Sequence, residues 1–81
     1  MASLAQRVRI QVALEPQGLL PVFDQLAVLD LVPRRMEFRH TQGDRCLLML
    51  ELDPVAPDTL STLLFRLEQA PAVRSVHRTD I

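Results

Sequence analysis

The sequence contains no lysine, asparagine, tyrosine or tryptophan, and its aromatic residues are three phenylalanines. The absence of asparagine removes an amide side chain that often contacts ligands. RNA-binding sheets stack bases on aromatic side chains of their central strands, but the apolar segment 45–52 has none. We therefore expect no nucleic-acid binding, and we interpret Phe38 as a core residue.

Cysteine is equally scarce. Cys46 is the single cysteine, so no intrachain disulfide can form, and a reducing cytoplasm fits the sequence. A metal site needs several convergent Cys or His ligands, whereas the chain adds only His40 and His77, which are far apart. We expect no metal and no cofactor, and interpret both histidines as surface or dimer-contact residues.

Strong net charge and long hydrophobic runs are also missing. The formal net charge of −1 gives no electrostatic attraction to nucleic acid or to an anionic membrane surface. No segment is long enough to span a bilayer, and the N-terminus lacks a charged lead followed by an apolar run. We expect a soluble, cytoplasmic chain whose 81 residues form a single domain over 1–81, with its core over 7–78.

Two kinds of apolar periodicity alternate along the first part of the chain. Apolar residues at every second position predict a strand over 8–14, and helical spacing then predicts a helix over 19–31. A proline ends that helix, and alternation resumes over 34–41. The turn signal 42–44 separates this strand from another over 45–52, which predicts an antiparallel hairpin.

The second part of the chain repeats the order helix then strand. Pro57 suits the first position of a helix, and Asp58 complements the helix dipole. Pro71 ends this helix, and a last strand is predicted over 73–78. The apolar stripe of the helix consists of Leu60, Leu63, Leu64 and Leu67. The order β-α-β-β-α-β predicts an α+β, ferredoxin-like fold, in which right-handed crossovers place both helices on one face of a four-stranded antiparallel sheet.

The two faces of this predicted sheet differ in chemistry. The helices are expected to cover Val8, Ile10, Val12, Met36 and Phe38. The other face is expected to carry Arg7, Arg9, Gln11, Arg35, Glu37 and Arg39, with Leu47 and Met49 of the third strand or their alternates. An exposed edge strand in so small a chain invites pairing, and we therefore expect a homodimer, formed by edge pairing or by helix packing.

The turn between the first strand and the first helix is a candidate binding site. A glycine turn at a helix start leaves backbone amides at the positive end of the helix dipole, where a carboxylate or phosphate binds. The amides that follow the turn at Gly18 are the predicted donors. Alternatively, Gly18 serves only as a helix N-cap.

Catalytic arrangements are not found in the sequence. Ser3, Ser61 and Ser75 lack a histidine and an acid in a known spacing, and Cys46 lies in an apolar strand. A phosphatase of this topology would need an arginine in the first loop and an asparagine on the hairpin. We therefore expect no enzymatic activity.

The segment Val-Ala-Leu-Glu-Pro-Gln-Gly-Leu-Leu-Pro-Val-Phe, followed by Leu26, Ala27 and Leu31, resembles the opening of ACT domains. The order of elements and the length match over about 7–78. The chain looks most like the short regulatory subunits of acetolactate synthase that consist of one ACT domain. Asp30 stands where ACT domains usually have glycine, and it tolerates the left-handed backbone that a helix end can need.

This resemblance implies a regulatory function. ACT domains commonly form side-by-side dimers with an eight-stranded sheet and bind amino-acid effectors at the interface near the first loop. The implied effector is Val, Leu or Ile, and the implied partner is a thiamine-diphosphate-dependent catalytic subunit in branched-chain amino-acid biosynthesis. The alternative is a ligand-free dimerisation or protein-interaction module. The implied ligand-binding residues are Glu15, Gln17, Gly18, Leu19, Leu20, Asp30, Leu31 and Val32. By the resemblance, the amides of Gly18, Leu19 and Leu20 take the ligand carboxylate, Glu15 attracts its ammonium group, and the region 30–32 lines the side-chain pocket. Alternatively, Glu15 is a solvated turn residue.

Overall fold

A computed structural model describes residues 7–80. The ends of the predicted 1–81 domain, including Ser3, lie outside the described residues. The strands are β1 (Val8–Leu14), β2 (Arg35–His40), β3 (Cys46–Leu52) and β4 (Val73–Asp80), and the helices are α1 (Leu19–Val28) and α2 (Pro57–Gln69). The strands form one antiparallel sheet in the order β2-β3-β1-β4, which confirms the ferredoxin-like prediction.

The core lies between the helices and the two central strands. Alternate residues of β1 and β3 pair across the sheet on the helix side, from Val8 opposite Leu52 to Leu14 opposite Cys46. All of these are buried, as are Leu60, Leu63 and Leu67 of α2, whereas Leu64 is half-buried. Cys46 is therefore a small core residue, as its place in an apolar strand predicts.

The edge strand β2 departs from the prediction. Met36 and Phe38 occupy the helix side of the sheet, opposite Leu50 and Leu48. Their side chains are nevertheless 52% and 47% exposed, and all six residues of β2 are exposed. The prediction that the helices cover Met36 and Phe38 is wrong, because the helices bury the central strands and leave this edge uncovered.

The face of the sheet away from the helices is called the open face below. Three rows of residues cross β2, β3 and β1 on it, in register: Arg35, Glu51 and Arg9; Glu37, Met49 and Gln11; Arg39, Leu47 and Ala13. The prediction of which alternate residues lie here is confirmed for the described residues of β1 and β2, and in β3, where the sequence leaves both alternations open, Leu47 and Met49 lie on this face. In the first row Glu51 is only 8% exposed and lies between arginines of both neighbouring strands.

The ends of the described chain lie side by side. β1 and β4 are antiparallel, and Val8 is directly opposite Asp80. Their register shifts between Ala13 and Leu14, near the start of β4. Within residues 7–80, neither helix has the length and hydropathy needed to cross a bilayer.

Candidate functional site

The loop before α1 is a 3₁₀ turn over Pro16–Gly18. The amide of Gly18 donates to the carbonyl of Glu15 at 2.8 Å, and the amide of Leu19 donates to the carbonyl of Pro16. Hydrogen bonds of this i to i+3 type use backbone amides that would stay unbonded if α1 began without a 3₁₀ turn. The prediction of free amides at Gly18 and Leu19 is therefore wrong, and Leu20 remains the predicted donor.

Glu15 is held in place by neighbours from two directions. Its carboxylate forms an ion pair with Arg74 at the start of β4 and accepts a hydrogen bond of 2.7 Å from the side-chain amide of Gln17. Its backbone amide donates to the carbonyl of Ala72 at 2.9 Å. Glu15 therefore ties the first loop to β4, and its negative charge already has a cationic partner.

Gly18 is buried and occupies the N-cap position of α1. A Cβ placed on it would lie 2.9 Å from the Cβ of Ala72 and 3.2 Å from Cδ1 of Leu14. Because the Cβ of Ala72 moves only with its backbone, this approach requires glycine. Of the open alternatives, the structure gives Gly18 the N-cap position and adds a packing reason for it.

The other predicted cluster lies at the C-terminal end of α1. The amide of Leu31 donates to the carbonyl of Leu26 at 2.8 Å, and that of Asp30 to Ala27 at 3.0 Å. This pair of bonds is a Schellman motif, and Asp30 has its left-handed backbone, with φ of 58°. The expectation that Asp30 accepts this conformation is confirmed. The motif also explains why α1 ends at Val28 rather than at Leu31.

An apolar groove of about 400 Å³, called the α1–β2 groove below, opens beside this turn. Asp30, Leu31 and Val32 line one side of it, as the resemblance implies for a side-chain pocket. The residues that sequence reasoning missed come from α1 and β2, and Phe23 and Met36 are the largest of them. Their exposure could not be predicted from the sequence, because apolar periodicity shows on which face of an element a residue lies but not whether another element covers that face.

The two predicted clusters do not form one site within a single chain. Glu15 to Leu20 lie at the N-terminal end of α1, whereas Asp30 to Val32 follow its C-terminal end. Ten residues of helix separate them, which corresponds to roughly 15 Å along the axis. Any ligand that contacts both clusters must therefore lie between two copies of the chain or span the length of α1.

Catalytic and metal chemistry finds little support in this geometry. In the part of the chain that the structure describes, no group of three or more His, Cys, Asp or Glu residues is placed to hold a metal ion. His40 and His77 are exposed and lie on opposite edge strands, as surface residues. The candidate site in the described residues is therefore the apolar α1–β2 groove and the neighbouring edge of β2.

Comparison with known proteins gives the fold but no sequence family. No protein-family model matches the sequence, and no curated protein matches it. Among solved structures, the C-terminal domain of the MgtC protein from Mycobacterium tuberculosis is similar over 100% of this chain and 93% of that chain, with 21% identity and a TM-score of 0.79.

Two further similar structures come from enzymes. The ACT domain of GTP pyrophosphokinase from Chlorobium tepidum is similar over 94% of this chain and all of that chain, with 17% identity and a TM-score of 0.78. A homoserine dehydrogenase from Thiobacillus denitrificans matches over 95% of this chain but 17% of its own, at 15% identity and a TM-score of 0.76. At such identities the likeness shows the ferredoxin-like fold, which an ACT domain shares.

Proposed function

We propose that this chain is a non-catalytic, ACT-like regulatory domain that acts as a homodimer and binds a small amino acid between its two copies. The observation that carries the proposal is that the two predicted clusters of ligand-binding residues lie apart within one chain. The first loop and the α1–β2 groove lie at opposite ends of α1, and the groove adjoins the uncovered edge strand β2. A second copy supplies the missing half.

The pairing follows from the exposed edge. Among the described residues the outer edge of β2 pairs with no strand, and unpaired backbone groups there are a template for a second strand. A two-fold axis through an antiparallel pair of β2 strands places the two α1 helices on one side of the joined sheet, running in opposite directions. The first loop of one copy then lies at the same end as the groove of the other.

The chemistry of the groove favours an amino acid with an aliphatic side chain. Phe23, Leu31 and Val32 offer an apolar lining. Asp30 offers a carboxylate without an ion-pair partner among residues 7–80, which suits an ammonium group. Val, Leu and Ile fit this combination. By resemblance, the domain is a regulatory small subunit of acetolactate synthase in branched-chain amino-acid biosynthesis, and its partner is the thiamine-diphosphate-dependent catalytic subunit.

A second candidate function is a ligand-free dimerisation or protein-interaction module. The bonded amides of Gly18 and Leu19 and the ion pair between Glu15 and Arg74 favour it. These contacts leave the first loop with fewer free groups for a ligand. In this case the groove and the strand edge serve only protein contacts.

A thermal-shift screen against the twenty amino acids separates the two functions. A ligand at about a hundred times its dissociation constant stabilises the fold by roughly 2.7 kcal/mol, and we expect that shift with Val, Leu or Ile. Val32→Asp, which changes the groove, is expected to abolish the shift. Val28→Asp is the matched control, because Val28 is 64% exposed and lies outside the groove lining. Silence across the panel with the unaltered chain would favour the ligand-free module.

A further inference from the structure

The open face carries an unexplained concentration of arginine. A depression of about 230 Å³ on it is lined by Arg9, Arg35 and Arg39, with Gln11, Glu37, Leu47 and Met49. It lies on the side of the sheet away from both helices, and so away from the α1–β2 groove. Neither regulatory function described above uses it.

Charge is distributed unevenly between this face and the rest of the chain. The open face and its rim hold five arginines, Arg7, Arg9, Arg34, Arg35 and Arg39, against three carboxylates, Glu37, Glu51 and Asp53. The remaining sequence has four arginines against seven carboxylates. An acidic chain with net charge −1 therefore keeps one positive surface.

Each of the three carboxylates of this face and its rim has an arginine partner. Glu51 has Arg9 and Arg34 at 3.8 Å, and Asp53 has Arg34 at 2.9 Å. Glu37 has Arg35 at 3.7 Å. Arg39 has no ion pair or hydrogen-bond partner among residues 7–80. Arg7 likewise has no such partner among these residues, but it does not line the depression, so the guanidinium of Arg39 is the positive charge in the depression that lacks a carboxylate.

A second observation concerns Arg9. Its Nε is buried and has no hydrogen-bond acceptor among the described residues. A donor that has lost water without gaining an acceptor is destabilising. Arg9 also lines the depression, so an acceptor bound there is a candidate partner for this group.

We propose that the open face binds a small phosphate-bearing molecule. Planar guanidinium groups match phosphate oxygens with paired hydrogen bonds. Leu47 and Met49 form an apolar floor for a short carbon skeleton, while Gln11 and Glu37 can accept hydrogen bonds from its hydroxyl groups. The depression is smaller than the roughly 300 Å³ typical of sites for drug-sized ligands, which favours a compact phosphate ester.

The lining also argues against larger anions. Single-stranded nucleic acid stacks its bases on aromatic side chains, and the three phenylalanines lie on α1, on α2 and on the helix side of β2. On the open face in residues 7–80 the one aromatic ring is the imidazole of His77, opposite Gln11 on β4, and a single imidazole is a small surface for stacking successive bases. A compact phosphate ester needs only the arginines and the apolar floor.

The test is a titration of the ¹⁵N-labelled full chain with glycerol 3-phosphate, using glycerol as the uncharged control. We expect amide shifts concentrated at open-face positions such as Gln11 and Met49, and none with glycerol. Arg39→Gln is expected to weaken binding by about tenfold or more, the usual size for a hydrogen bond to a charged group. Arg66→Gln is the matched control, because it removes the same charge from exposed α2 and should leave affinity unchanged.

Three results would overturn the proposal. Absence of shifts with glycerol 3-phosphate at tens of millimolar would show that no phosphate site exists. Equal weakening by Arg39→Gln and Arg66→Gln would show attraction to charge alone. Stronger binding of a hexaglutamate peptide than of glycerol 3-phosphate would assign the face to an acidic protein instead. Sedimentation of each variant keeps changes in assembly separate from changes in affinity.

Discussion

At the scale of single residues, the two most informative positions are those where the backbone restricts the side chain. Gly18 has an ordinary backbone conformation but no space for a Cβ. Asp30 has space at the surface but a left-handed backbone. The first position excludes side chains by contact and the second by conformation, so substitutions at each affect stability for a different reason.

Gly18→Ala is expected to destabilise the fold by about 1–3 kcal/mol, the usual cost of overpacking a core position. The new Cβ would lie 2.9 Å from that of Ala72. Urea unfolding gives the free energy, and the double variant with Ala72→Gly should recover part of the loss. Additive costs in the double variant would show that the two residues do not compete for space.

Asp30→Gly is expected to stabilise the fold by about 1 kcal/mol, because glycine adopts positive φ without the steric cost that other residues have. Asp30→Ala keeps a Cβ at φ of 58° and should give no comparable gain. Thermal unfolding of the three chains checks this. If alanine and glycine stabilised equally, the gain would come from removing the carboxylate near the end of α1.

At the scale of secondary structure elements, the sequence patterns gave nearly all of the fold. Alternation over 8–14 predicted β1 with its observed bounds, and Pro57 and Pro71 bracketed α2. The leucine stripe of α2 is the clearest case, because three of its four residues are buried. These features depend on neighbours in sequence, which is why they can be recognised without a structure.

The predictions that are wrong concern contacts between elements. Alternation placed Phe38 on the helix side of β2, but no sequence pattern reports that the helices stop short of this edge. Glycine and proline indicated a turn before α1, but not that a 3₁₀ geometry would use the amides of Gly18 and Leu19. The α1–β2 groove joins residues from two elements for the same reason, and only Asp30, Leu31 and Val32 were identified.

Leu63→Ala in α2 is expected to destabilise the fold by about 2–5 kcal/mol through a cavity in the core. Leu63 is fully buried between α2 and the sheet. Phe65→Ala, two residues away and 63% exposed, is the control and should change stability little. Chemical denaturation of both variants checks the difference, and similar losses would mean that Phe65 is covered in the assembled protein.

At the scale of the whole molecule, the two surfaces of the sheet differ in chemistry. The helix side closes around the core and leaves an apolar margin at β2, formed by Met36 and Phe38. The other edge strand, β4, has mainly polar exposed residues. The apolar margin is the reason to expect pairing at β2 rather than at β4.

Phe38→Arg is therefore expected to convert the proposed dimer to a monomer, since it places a charge beside the pairing edge. Analytical ultracentrifugation should give twice the chain mass of 9.2 kDa for the unaltered protein and 9.2 kDa for the variant. Phe65→Arg makes the same change on the exposed face of α2 and should remain dimeric. A dimer that tolerates Phe38→Arg but dissociates with Phe65→Arg would place the interface on the helices.

The pairing of Val8 with Asp80 has a mechanical consequence. Tension applied between these two residues loads the last hydrogen bonds of the β1–β4 ladder first, because antiparallel bonds lie perpendicular to the strands. The ladder then opens one bond after another, like a zipper, rather than resisting as a whole in shear. A domain pulled at these points yields at low force, and β4 peels away before the core between β1, β3 and the helices is strained.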